Sequence, residues 1–164
     1  MKDVRVARSV VVDAPVQRVW DLVITPSGID HELRPLLSMT MPAAHRDATI
    51  ATVPVGERLG RAWLRLGGIL PVDFDDLRLV SVDPPHSFHE SSTMLGARVW
   101  EHRRTLAATG DGRTRVTDEL RMVPRVPLPC PVRALVGRVV DALFAHRHRR
   151  LRAALAPGGL ETSP

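Results

Sequence analysis

Lysine is almost absent: Lys2 is the only one, and arginine supplies every other basic group. Tyrosine is missing, and the other aromatics amount to three tryptophans and three phenylalanines in 164 residues, too few to suggest an aromatic cage. The single cysteine excludes an internal disulfide, and Cys130, set between Pro129 and Pro131, reads as part of a connector rather than as a nucleophile. This fits a reducing, cytoplasmic setting. No run approaches the roughly 18 to 20 apolar residues that span a bilayer, and the polar Lys2-Asp3 start has no signal-like apolar core, so no stable membrane insertion is expected. Gly-rich phosphate loops, dinucleotide fingerprints and G-x-S-x-G elbows are all lacking, which removes the basic equipment of nucleotide hydrolysis, nicotinamide chemistry and serine hydrolysis.

What is there is an ordinary globular composition, 44% hydrophobic, in a chain long enough for one well-cored domain, read as 1–156 with a flexible tail at 157–164. The net charge of +5 comes with an arginine bias of the kind that codon composition produces, so nucleic acid is not an expected partner. Seven histidines offer no metal geometry. His146 and His148 are two apart, which on a helix points them about 200° apart, and His86 and His89 fall on opposite faces of a strand entrance.

Strand-like runs alternate with turn chemistry as in an antiparallel meander: Val4–Val12, Leu37–Met41, Glu57–Leu66, Val72–Val82, Ser87–Thr93, Arg98–Ala108 and Thr114–Val123. Gly67-Gly68, Asp83-Pro84-Pro85 and Gly110-Asp111-Gly112 punctuate them. Two short helices, Val16–Val23 and one around Ser27–Leu33 that Pro35 ends, lie between the first two runs. A long helix runs from Pro131 to Leu155, with an apolar stripe of Val132, Leu135, Val136, Val139, Leu143, Phe144, Leu151 and Leu155 that is expected to be buried. The α+β solution packs this helix across the concave face of the sheet.

The sixth and seventh runs can be registered from their turn. A three-residue loop at Gly110–Gly112 puts Thr109 opposite Arg113, and counting back pairs Leu106 with Val116, Arg104 with Asp118, His102 with Leu120 and Trp100 with Met122. The shared face is apolar and therefore buried, with His102, Arg104 and Asp118 set into it. Three readings stand for this trio: a structural network that fixes the register, a cluster that orients a polar group of a ligand, or acid/base chemistry by His102 or Asp118.

In the fourth run, alternation puts Asp73 and Asp75 on one face and Phe74, Asp76, Arg78, Val80 and Val82 on the other, which we take as the inner one; Leu77 and Leu79 disturb the split unless a bulge intervenes near Asp75-Asp76. The clustered carboxylates read as a solvated face rather than a cation site, since no glycine-bearing oxygen-rich loop surrounds them. Glu90 is a further candidate cavity acid. The run His146 to Arg152 either complements the helix dipole while the helix packs through Leu151 and Leu155, or binds phosphate groups.

The strand, Ala14-Pro15 hinge and Val16/Trp20 helix at Ser9–Trp20 resemble the opening of the START-like, or SRPBCC, superfamily (polyketide cyclase/dehydrase and lipid transport, Bet v 1-like). Gly28–Pro35, Leu70–Phe74, Pro84-Pro85 with Phe88, Trp100–Arg103 and Gly112–Asp118 look like a bacterial branch of it. The resemblance implies a helix-grip fold, a curved sheet of about seven strands wrapped around the last helix. It also implies a cavity between them, lined at matching positions by Trp63, Phe74, Trp100, Met122, Leu143 and Phe144, with Asp76, Arg78, Glu90, His102, Arg104 and Asp118 as its polar members. The cavity lysine of the plant hormone receptors has no counterpart here, and the paired Cys and His ligands of the Rieske oxygenases are absent, so no cofactor or metal is expected. The leading expectation is a carrier or sensor of a hydrophobic, lipid- or polyketide-like molecule. The alternatives are a polyketide cyclase/dehydratase using His102 or Asp118, and a protein-interaction module with a filled cavity; homodimer formation is left open.

Overall fold

The computed structural model describes residues 3–156 except Asp47. The segment 157–164, read above as a tail, lies outside the described residues.

Valine-rich β1 (Val4–Val12) leads into α1 (Val16–Val23) and α2 (Pro26–Leu33). The remaining strands are β2 (Leu37–Met39), β3 (Arg58–Leu66), β4 (Leu70–Asp83), β5 (Ser87–Met94), β6 (Ala97–Ala108) and β7 (Thr114–Pro124), and α3 (Cys130–Leu155) closes the chain. The strands form one antiparallel sheet in the order β1-β7-β6-β5-β4-β3-β2, so β1 and β2 sit at opposite edges with the two short helices bridging them. The sheet curls around α3, which is the α+β architecture expected. Thr25 starts α2: its Oγ1 accepts from the Gly28 amide at 3.0 Å, and Pro26 follows at the first helical position.

The β6–β7 register is the one counted from the turn, with Leu106 opposite Val116, Arg104 opposite Asp118, His102 opposite Leu120 and Trp100 opposite Met122. The Thr109 amide donates to the Arg113 carbonyl at 3.0 Å across the three-residue loop. Leu106, Val116, Leu79, Phe88, Val19, Trp20, Val23 and Leu151 join one buried core beneath the sheet.

Three expectations need correction. On β4, Asp75, Leu77 and Leu79 face inward, while Phe74 turns away and Arg78, though exposed, borders the recess between sheet and helix. Against β5 the irregularity lies between Leu79 and Ser81, not near Asp75-Asp76, so Val80 is the extra residue there and Val82 alone of the expected set returns to the core side. On α3, the stripe is buried only from Phe144 onward; Val132, Leu135 and Val139 are exposed. The first half of the helix lies over the edge strand, with Gly137 against Val4 and Arg8 clamping Asp141 through two bonds of 2.7 Å, so only one side of it is covered. Cys130, assigned to the connector, is the exposed first residue of this helix.

Candidate functional site

Neighbouring strands bring polar residues into rows across the inner face. One row runs Phe88, Arg104, Asp118 and Arg8; the next runs Leu79, Glu90, His102 and Leu120. Arg104 is 1% exposed and Asp118 0%, so both must be satisfied from within. Arg104 Nε donates to Asp118 Oδ1 at 2.7 Å and its terminal nitrogen to Oδ2 at 2.8 Å. The same guanidinium grips Glu32 of α2 at 2.7 and 3.0 Å. Arg147 of α3 donates to Glu32 at 2.9 Å, and His102 and His148 meet Asp118 at 2.7 and 2.6 Å. Two guanidinium groups face two carboxylates, so their formal charges balance.

Burial by itself would push both carboxyls up. The Arg104 charge beside Asp118, with its histidine bonds, instead holds that carboxyl well below the ordinary range, and Arg104 with Arg147 lowers Glu32. Burial opposes the Arg104 charge, yet the two carboxylates raise its pKa on balance.

The cluster ties α2, β6, β7 and α3 together and forms the floor beside a recess of about 150 Å³. The recess lies between the inner face of β3–β6, α2, the end of α3 and the segment from Met39 to Val53. Its wall is mostly apolar, with Ile29, Leu33, Leu59, Leu77, Phe88 and Phe144 among its members. The His102 ring is held edge-on between Phe88 and Phe144, at centroid distances of 5.5 and 5.2 Å.

Of the residues expected at a cavity, Arg78, Glu90, Trp100, His102, Leu143 and Phe144 line the recess. The others do not. Trp63 is 43% exposed and meets Phe74 edge-on, and Arg61 lies over the Phe74 ring at 4.5 Å, all away from the recess. Asp76 is buried but turned to Arg58, because the inward residue at this point of β4 is its neighbour Asp75. Arg104 and Asp118 are sealed behind the wall by their own partners, and Met122 falls outside it.

Three residues of the site escaped the sequence reading, and a fourth was misplaced. Arg147 and His148 follow Phe144 at helical spacing toward Leu151, a signal that was available; as a result the basic run of α3 is partly inward and structural, with Arg150 donating to the His31 carbonyl at 3.2 Å and His146 to that of Arg34 at 2.9 Å. Glu32 shares the face of Ile29 and Leu33 but carries no pattern of its own. Asp75 was seen and assigned to the wrong face. It is 4% exposed, its Oδ1 has no hydrogen-bond partner, and burial followed by the charge of Glu90 pushes its carboxyl well above the ordinary value. Among the described residues, no group of three or more His, Cys, Asp or Glu side chains is arranged to hold a metal ion.

A family described as Domain of unknown function (DUF8410) matches residues 10–155. The chain belongs to this family. No curated protein matches this DUF8410 chain. Solved structures similar to it include the protein CV1439 from Chromobacterium violaceum, at 15% identity and a TM-score of 0.71, covering 94% of this chain and 99% of that one. The Zhui aromatase/cyclase from Streptomyces sp. R1128 aligns at 16% identity with a TM-score of 0.68, over 97% of this chain and 100% of that one. A START superfamily protein from Mycobacterium smegmatis aligns at 13% and 0.66, over 93% and 97%. At these identities the likeness establishes the fold: the DUF8410 chain has the START-like helix-grip fold. Among its described residues no helix is long and apolar enough to cross a membrane.

Proposed function

We propose that this protein holds a hydrophobic small molecule between sheet and C-terminal helix, as a carrier or sensor. The observation that carries this reading is the apolar recess, walled by β3–β6, α2 and α3 and bordered by the satisfied ion cluster. A recess of this volume is comparable to cavities that accept a single aromatic ring, so the ligand is one ring in size, or a longer lipid- or polyketide-like chain that inserts one end. START superfamily membership of one similar structure supports a container, and a second similar structure, an aromatase/cyclase, keeps a catalytic relative in view.

The cyclase reading has less support in this chain. Both Asp118 oxygens are occupied by Arg104, His102 and His148, so it has no free lone pair facing a substrate. The interaction-module reading assumed an interior filled by its own side chains, and the recess weighs against that premise.

Native mass spectrometry of protein purified from its host, compared with the denatured mass, tests the container. An added mass that vanishes on denaturation is the expected result. A bare mass, together with no binding of apolar one-ring probes such as toluene, would overturn it.

A further inference from the structure

Two acids, on β4 and β5, line the recess, and Glu90 is paired across the sheet with His102 of the ion cluster. Asp75 and Glu90 both line the wall, and Asp75 keeps an unpartnered oxygen while almost wholly buried. A buried carboxyl with only the Ser92 hydroxyl beside it to favour its charge is costly, and a second acid next to it raises the cost. The protein's own cations do not relieve this. Arg104 and Arg147 are committed to Glu32 and Asp118, and Arg78, at the wall, turns its Nε to the Gly56 carbonyl at 3.1 Å. Among the described residues neither Asp75 nor Glu90 forms an ion pair.

We propose that Asp75 and Glu90 anchor a protonated amine, so that the molecule held in the recess is a small hydrophobic amine. This rests on the container reading above and names its ligand class. An ammonium supplies the N–H donor that Asp75 Oδ1 lacks and places one positive charge between two acids, a charge-assisted contact in a dry site. The amine's apolar body meets Phe88, Trp100 and Phe144 of the wall. Burial and Glu90 hold the Asp75 carboxyl toward its protonated form without ligand, and an arriving cation reverses that balance.

The test is a matched one-ring series, benzylamine, benzyl alcohol, toluene and benzoate, titrated by NMR at pH 7 against the parent protein, Asp75→Asn and Glu90→Gln. Circular dichroism checks that each variant folds. Benzylamine is expected to bind at least about tenfold tighter than benzyl alcohol or toluene, with benzoate excluded. Asp75→Asn should bring benzylamine to the level of the alcohol and leave toluene unchanged, and Glu90→Gln, at a partly exposed position, should reduce the preference even if Asp75→Asn fails to fold. Equal or tighter binding of the alcohol, or an amine preference that survives in the folded variants, overturns the anchor while toluene binding preserves the container. Failure of all four probes overturns the anchor, and together with a bare native mass it overturns the container as well.

Discussion

At the scale of single residues, Arg104 is the hub, because two buried carboxylates depend on it. Arg104→Met leaves both without their main counter-charge and should cost about 3–5 kcal/mol in urea unfolding. Glu32 and Asp118 have depressed pKa values when folded, so each contributes stability that is present above the unfolded value and lost as pH falls through the folded one. Urea midpoints should therefore drop below about pH 4. Asp75 acts with the opposite sign. Its raised folded value means that stability falls as pH rises from about 4 toward that value, because the unfolded chain releases the proton first. Asp75→Asn should thus gain stability over the parent at pH 7 and little at pH 4; a gap that does not widen between the two would show that Asp75 is not held protonated. Half of this chemistry was legible. Arg104, Asp118 and His102 could be placed from the hairpin turn alone, since a tight loop fixes every pair behind it. Glu32 could not, because its partner is distant in sequence and helix α2 offers only two turns of pattern.

At the scale of elements, α2 is held at both ends, by its cap and by the Glu32 contacts. Thr25→Ala removes the Oγ1 acceptor of the Gly28 amide and should cost about 1 kcal/mol by thermal melting. Gly28→Ala should cost more than Thr25→Ala, because a Cβ there would lie 1.9 Å from the Leu22 carbonyl oxygen and the α1–α2 corner would have to open. Strand and helix positions were read well wherever turn chemistry was strong, as at Gly67-Gly68 and Gly110–Gly112. Which face of β4 turns inward was not, since one extra residue at Val80 reverses alternation and leaves no mark in composition. The α3 stripe failed for another reason: periodicity shows which side of a helix is apolar, but not how far the sheet extends beneath it.

At the scale of the whole molecule, the sheet, α2 and α3 form a wall around one recess, and the ion cluster keeps those elements in place. Narrowing the recess tests this division of labour. Leu77→Phe should abolish toluene binding while changing unfolding free energy by less than about 1.5 kcal/mol, because the ring enters space the wall already leaves open. A large loss of stability would mean that the space is part of the packed core. A helix packed across a seven-strand sheet was legible from the order of runs and the long last helix, and the resemblance at Ser9–Trp20 supplied the helix grip. The position of the recess was not, because it depends on β4 and on α2–α3 contacts that cross the chain.

The strand order has a further consequence for how the chain comes into being. β1 pairs only with β7, and its Arg8 reaches α3, so the first strand made finds its neighbours last. During synthesis a valine-rich strand must wait, unpaired, for nearly the whole polypeptide, and closure of the sheet is a late, non-local event that makes folding slow and shortened chains prone to association.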